Sequence, residues 1–318
     1  MASRTSIGMA IHQQLREKMT SRKDAYEWNK KANRLLQNGQ HQEAFEAYKK
    51  SIGYDPVFVE PWANLGRLLA STGNHEEAES CYLTALRIDP DHWWAMTAYA
   101  AYIMTLENRW NEAEMLLQKA VKLEPDNAKV WCTLGVLFTD VANEQAESAF
   151  RRALEIDSED RNSRLFFAIM LVLAERYQEA ENLARSIIES NQSDLRAWAL
   201  LARTLYAQAR LREGIRAQER VVELGNNEMD HWWRLSQMYL EGGYLKQAEY
   251  AIQRTLNLRP DFVDGWEQLV EIYNEMGREK DASSTRFALS ELFRINPDAM
   301  RDENGFLIPR NKAKVKDA

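Results

Sequence analysis

Residues 59–92 read VEPWANLGRLLASTGNHEEAESCYLTALRIDPDH, and this order of residue types returns at fixed offsets along most of the chain. Trp62, Leu65, Gly66, Leu69, Gly73, Ala78, Tyr82, Ala85 and Pro90 mark the frame. Residues 25–58 repeat it with Trp28, Ala32, Leu35, Gly39, Ala44, Tyr48, Ser51 and Pro56. Residues 229–262 repeat it with Trp232, Leu235, Ser236, Tyr239, Gly243, Ala248, Ile252, Thr255 and Pro260. A period of about 34 residues restricts the fold more than any other feature, because each unit must then be a module that stacks on its neighbours. Copies with fewer matches occupy 93–127, 128–160, 161–194, 195–228 and 263–298, so about eight units fill the chain from residue 25 onward.

The residue types within one unit specify a helix pair. The Trp and the Leu lie three residues apart and the next large residue four further on, which puts them on one stripe of a first helix. Small residues such as Gly66 and Ala78 belong where two helices approach closely, since bulk there would push the pair apart. Gly39, Gly73, Gly243 and Gly277 fall in the turn between the helices, and Pro56, Pro90, Pro125 and Pro260 stop the second helix. Strand signals are poor, with Ala, Leu, Glu and Arg dominating and Gly and Pro spaced at intervals. The fold class is therefore all-α.

The recurring Trp, Leu-Gly, Tyr, Ala, Phe or Tyr, Ala and Pro resemble the tetratricopeptide repeat. That resemblance implies a right-handed α-solenoid of about eight helix-turn-helix repeats. It also implies that the first helix of each repeat lines a concave groove, at roughly its second, fifth, sixth, ninth and twelfth positions. Partners of such proteins are extended peptides or helices laid in that groove.

Three segments follow from the frame. Residues 1–24 precede the repeats, and Ile7, Ile11, Leu15 and Met19 recur every four residues, the pattern of an amphipathic helix that caps the first repeat or makes a membrane-surface or dimer contact. Residues 25–298 hold the superhelix. Residues 299–318 form a basic C-terminal tail after the apolar cluster Phe306 to Ile308, expected to be flexible.

Site chemistry is sparse. The five histidines form no HExxH or other close metal pair, and Cys81 and Cys132, the only cysteines, indicate neither a disulfide framework nor a thiolate site. No P-loop, GxGxxG, GxSxG or Cys-His constellation is present, so no catalytic residues, no metal and no cofactor are expected. A net charge of -7 with interspersed signs argues against nucleic acid as partner. No run of residues has the ~18 consecutive apolar positions of a membrane span, and no secretory signal opens the chain. The expected location is cytoplasmic.

The string DHWW occurs at 91–94 and at 230–233. Trp232 is the frame Trp of its repeat, whereas Trp93 and Trp94 occupy the first and second positions of theirs, so the two strings are not equivalent. Trp94 and Trp233 fall outside the packing scheme and are the expected aromatic contacts to a partner.

Carried onto this sequence, the groove positions give Asn29, Asn33, Asn64 and Arg67 as polar contacts in the first two repeats. Asn33 and Asn64 match two asparagines of the carboxylate clamp found in co-chaperone members of the family, but its first lysine is replaced by Asn29 and its third-repeat basic pair by Trp94 and Ala98. The middle repeats present Trp94, Met104, Val136, Leu165, Ile169 and Val172, an apolar stretch. The sixth and seventh add Arg203, Tyr206, Trp233, Arg234 and Gln237, and the eighth turns acidic with Asp264, Glu267, Glu271 and Glu275. The function read from the sequence is a non-enzymatic adaptor or scaffold that binds a protein or peptide partner in this groove. The alternatives are a self-assembling scaffold, whose partner is a second copy of the chain, and a regulatory receptor for a small peptide.

Overall fold

The computed structural model describes residues 2–106, 109–139, 143–225, 227–295, 299–301 and 307–309. For residues 2–19, 143, 295 and the last two segments the description is of the backbone alone. The chain divides into two compact units, residues 1–166 and 167–318.

In the first unit, α1 (Ala2–Gln37) packs against α2 (His41–Tyr54), α3 (Val59–Ser71) against α4 (His75–Ile88), α5 (Trp93–Ile103) against α6 (Trp110–Leu123), and α7 (Ala128–Phe138) against α8 (Asn143–Ile156). The boundary falls inside α9 (Arg161–Leu173). The second unit continues with α10 (Tyr177–Ser190), α11 (Leu195–Ala207) on α12 (Leu211–Leu224), α13 (Met229–Glu241) on α14 (Leu245–Leu258), and α15 (Val263–Glu275) on α16 (Glu279–Ile295). Odd-numbered helices are the first helices of the repeats and even-numbered ones the second.

Two features differ from expectation at the ends. The segment 1–24 is not a separate element: from Ala2 its helix runs without a break into the first helix of the first repeat as α1. The faces that Ile7, Ile11, Leu15 and Met19 present lie outside the described residues. At the other end Ala299–Arg301 (β1) and Leu307–Pro309 (β2) pair antiparallel, with Met300 opposite Ile308; residues 310–318 lie outside the described residues.

The recurring residues hold each helix pair together. Ala44, Ala78, Ala113, Ala146, Ala180, Ala248 and Ala282, one per repeat and all in second helices, are each 0% exposed. A larger side chain at that point would hold the two helices apart. In the sixth repeat Gly214 takes this place, and the Met238 side chain of α13 fills the space, 2.9 Å from where a Cβ would be. Across the pair, a Cβ on Gly135 would stand 2.8 Å from the Phe150 ring, and one on Gly66 3.1 Å from the Tyr82 ring. The aromatic rings of the second helix occupy the room that these glycines leave.

Four of the frame tryptophans tie their repeat to the turn that precedes it. The indole N–H of Trp62 donates to the Pro56 carbonyl at 3.0 Å, Trp131 to Pro125 at 2.8 Å, Trp198 to Gln192 at 2.9 Å and Trp266 to Pro260 at 2.8 Å. The carbonyl is always six residues upstream, where the previous second helix has ended and its last acceptors need partners. The ring of Trp232 also meets Tyr250 edge-on and carries the Arg254 guanidinium over its face.

Candidate functional site

In the first unit the first helices α1, α3, α5 and α7 adjoin one another, and a polar ladder crosses them. Trp94 donates its indole N–H to Asn64 Oδ1 at 3.3 Å, and the Asn64 amide donates to Asn29 Oδ1 at 3.3 Å. Asn33 Oδ1 accepts from the Tyr48 hydroxyl at 2.6 Å. Asn29 and Asn64 are buried, so part of their bonding capacity is spent within the protein and they form a floor instead of free peptide contacts. The reason is their partners: asparagines on adjacent helices satisfy each other where the helices come close. Arg67, one turn beyond Asn64, is exposed.

Two hollows lie along this face. One, of about 580 Å³, is bordered by Asn33, Asn64, Arg67, His92, Trp94 and Lys129. The other, of about 530 Å³, is bordered by Arg67, Trp94, Ala98, Tyr102, Lys129 and Phe166 among others. Arg67, Trp94 and Lys129 border both, so the hollows are neighbouring parts of one track with Trp94 standing between them. Trp94 is half-buried and held in place by Asn64 and by an edge-on contact with Trp93, centroids 5.9 Å apart.

The second hollow is made by small residues. Of the α5 residues that line it, Thr97, Ala98 and Ala101 follow Trp94, and the next large one is Tyr102. Tyr102 stacks on His75, centroids 6.1 Å apart, and donates its hydroxyl to the His75 carbonyl at 3.1 Å. Burial pushes the hydroxyls of Tyr82 and Tyr102 above their ordinary pKa, which keeps them neutral donors. Of the carboxylates around the track, Asp160 caps α9 by accepting from the Ser163 N–H and hydroxyl. Glu60 lies 3.7 Å from His92, and the hydrogen bond from that imidazole outweighs burial in holding its carboxyl below the ordinary value. Cys132 lines the same hollow, and burial raises its thiol to about 11.

Lys129, Ala98, Ala101, Tyr102 and His75 are absent from the contacts read from the sequence. Lys129 sits at the second position of the fourth repeat, where the groove rule applies, so the frame could have found it. The alanines could be found only as a gap in size along α5, since small residues carry no chemical signal of their own.

Other expected residues have different settings. Met104 caps the end of α5 and packs, half-buried, on the core of the first unit. Leu165 and Val172 are buried, which removes them from any exposed apolar stretch; their side chains pack inward from α9. In the second unit Arg203, Tyr206, Arg234 and Gln237 are exposed, the first two on α11 and the others on α13. The Tyr206 hydroxyl donates to Glu241 at 2.7 Å, an interaction that raises its pKa. Trp233 is half-buried, its ring meeting Phe262 edge-on at 4.8 Å between centroids. It therefore contributes to the packing of α13 against the start of α15 as well as to the surface.

Among the described residues no helix is long and apolar enough to cross a membrane, and no three His, Cys, Asp or Glu side chains are grouped so as to hold a metal ion. Both cysteines are unpaired.

Comparison with known proteins agrees with the repeat frame. A family profile described as the cytochrome c-type biogenesis protein H TPR domain matches residues 123–226. A second, the cilia and flagella-associated protein 70 middle TPR-like domain, matches residues 37–145. The chain is 28% identical over 147 residues to the tetratricopeptide repeat-containing protein trd-1 of Caenorhabditis elegans, covering 46% of this chain and 19% of that one. It is 28% identical over 160 residues to the anaphase-promoting complex subunit CDC16 of Saccharomyces cerevisiae, covering 49% and 19%. The chain thus spans about a fifth of the length of these curated relatives. A chain in the crystal structure of the APC/C hetero-tetramer Cut9-Hcn1 superposes with a TM-score of 0.61 at 16% identity, covering 84% of this chain and 52% of that one, a likeness of fold. Frame, helix pairs and matches together make this chain a member of the tetratricopeptide repeat family.

Proposed function

We propose that the chain is an adaptor with no catalytic role of its own, and that it holds a peptide or helix of a protein partner along the face formed by the first helices of its repeats. The tetratricopeptide fold serves generally as a scaffold for protein interactions, and two relatives bear names of multiprotein assemblies, the anaphase-promoting complex and the superkiller complex. The observation that carries the reading is the track in the first unit: the amide of Asn33 and the guanidinium of Arg67 stand beside the apolar wall of Trp94, and the two hollows adjoin. A chain-like ligand fits such a track better than a compact metabolite, because main-chain groups can meet Asn33 and Arg67 while side chains enter the hollows. Arg203, Tyr206, Arg234 and Gln237 form a second polar and aromatic surface in the other unit, of the composition that binding surfaces favour. The cytoplasm is the proposed location, in keeping with two free thiols.

The test is selection from a display library of random linear peptides against the full chain. Enrichment of peptides that compete with one another, and that lose affinity about tenfold or more on Arg67→Ala, is the expected result. An unenriched library, with the chain's helicity intact, removes the reading.

Self-association is the second reading, favoured by Phe287, which is 67% exposed on the last helix α16. Light scattering over a range of concentrations separates the two: an adaptor keeps one mass, and a self-assembling chain grows.

A further inference from the structure

We infer that the hollow bordered by α3, α5 and α7 is a socket for one bulky apolar side chain of a partner segment, and that an acidic residue adjoins that side chain in the partner. This rests on the reading of the track as a peptide-binding face, and it names what the peptide must carry.

The apolar part of the argument is one of shape. The socket exists because Thr97, Ala98 and Ala101 follow Trp94 on α5, so three small side chains lie between the Trp94 ring and the Tyr102 ring. Its volume of about 530 Å³ accommodates a large side chain with room for the adjoining main chain. The walls are preformed. Trp94 is fixed by its bond to Asn64 and its contact with Trp93, and Tyr102 by its bond to the His75 carbonyl. A guest that fills the socket therefore removes carbon surface from water without first reordering the wall, the condition under which burial converts efficiently into affinity.

The acidic part is one of charge. Arg67 on α3 and Lys129 on α7 stand on opposite flanks of the socket, both exposed. Neither has a carboxylate within ion-pair distance among the described residues; burial raises the pKa of the Tyr48 and Tyr82 hydroxyls, and Arg67 only partly offsets that rise. The nearby carboxylates are engaged elsewhere, Asp160 with the first turn of α9 and Glu60 with His92. The socket thus has two cations at its mouth against one lining carboxylate, Asp160, whose Oδ2 is held by Ser163, so the excess of positive charge favours a guest residue bearing a carboxylate and repels a basic one. A terminal carboxylate and an acidic side chain share this chemistry; the position of the hollow beside a continuous track favours an internal acidic side chain.

The experiment uses the same display selection with three forms of the full chain: wild type, Ala101→Phe and the pair Arg67→Glu with Lys129→Glu. Ala101 is exposed, so phenylalanine there fills the socket without entering the core, and circular dichroism checks that each form is folded. The expected result is a wild-type consensus with Asp or Glu next to Leu, Phe or Trp. Those peptides should bind the filled form at least about tenfold more weakly, and the charge-reversed form should select Lys or Arg in place of the acid. Amidated and free C-terminal versions of one selected peptide should bind alike. Peptides that are enriched but carry no acid and ignore both variants overturn this inference while leaving the adaptor reading in place. Loss of binding on amidation alone overturns the internal side chain in favour of a terminal carboxylate. No enrichment with any form overturns both readings.

Discussion

Arg210 Nη1 lies 2.6 Å from Glu181 Oε2, joining the start of α12 to the middle of α10, the second helices of successive repeats. The same guanidinium also binds Glu213 three residues on. The arrangement recurs: Arg109 binds Glu79 of the previous second helix and Glu112 of its own, and Arg278 binds Glu249 and Asp281. Each arginine is a planar fork that serves two carboxylates at once, a geometry lysine cannot reproduce. Stacking between repeats is thus held by polar clamps on the second helices as well as by apolar contact.

Burial opposes ionisation of Glu181, which is 3% exposed, but the hydrogen bonds from Arg185, Arg210 and Gln208 outweigh it and hold the carboxyl below the ordinary value of 4.5. A carboxyl lowered on folding adds stability above its ordinary pKa and loses that contribution as pH falls through the folded value. Arg210→Ala removes part of what lowers it. At pH 7 this variant should melt below wild type, and by more than Glu213→Ala does, because Glu213 is exposed and Glu181 is not. The gap between Arg210→Ala and wild type should close as the pH drops below 4.5. Thermal melts of the three proteins from pH 7 to pH 3 check this, and a gap that does not change with pH would mean that the clamp adds nothing through Glu181.

The turn between the paired helices needs one residue in the left-handed region, and it falls at 39, 73, 175, 209, 243 and 277 among the described residues. Four of these are glycines; Glu175 and Ala209 hold the same conformation at φ 59 and 58. A side chain there costs about 1–2 kcal/mol that glycine avoids, less what glycine loses in chain entropy. Ala209→Gly should therefore stabilise the protein by about 0.5–1 kcal/mol, and Gly73→Ala should destabilise it by about as much. Urea unfolding midpoints measure both, and equal signs for the two would show that the turn is not the source of the difference.

How much of this was legible before folding follows from where each signal is written. Trp62, Ala78 and Gly73 act within one repeat, so a fixed offset reveals them, and every described alanine of the Ala78 series is buried as the close approach requires. The turn at Ala209 was hidden because its residue type says nothing of φ; only the spacing of 34 residues from Gly243 could have disclosed it. The clamp of Arg210 on Glu181 spans two repeats, and a frame read one repeat at a time does not connect them. The groove was legible as a face but not as a surface. Asn29 and Asn64 have the right offsets, yet their amides bond each other. Leu165 and Val172 occupy groove positions but turn inward. The socket itself is an absence of bulk at Ala98 and Ala101, bordered by a cation from another helix, and an absence has no motif.

The indole bonds of the frame tryptophans separate two contributions. Trp131→Phe keeps the ring but removes the N–H donated to the Pro125 carbonyl, a partner that water can replace, so the cost should be about 1 kcal/mol. Trp131→Ala also removes the packing of a half-buried ring on the core of the first unit, and should cost about 3 kcal/mol or more. Chemical denaturation of both variants tests the split. Equal losses would assign the whole effect to the hydrogen bond, and the turn before α7, not the ring, would then be the element held in place.

Cys132 and Cys81 make the socket measurable without a known ligand. Burial is the main cause that raises both thiols from 9.0 to about 11, with Glu77 adding to the shift at Cys81. A thiol so raised holds about 100-fold less thiolate near neutral pH, and thiolate is the reactive form. Iodoacetamide should therefore label both residues at least about 100-fold more slowly in the native chain than in urea-unfolded chain, with site-by-site rates read by mass spectrometry. The two then part company, because Cys132 lines the socket and Cys81 does not. A peptide seated in the socket should slow Cys132 further and leave Cys81 at its free-chain rate. Equal protection of both would point to general stabilisation of the first unit, and protection of neither, with binding shown independently, would move the peptide to another part of the track.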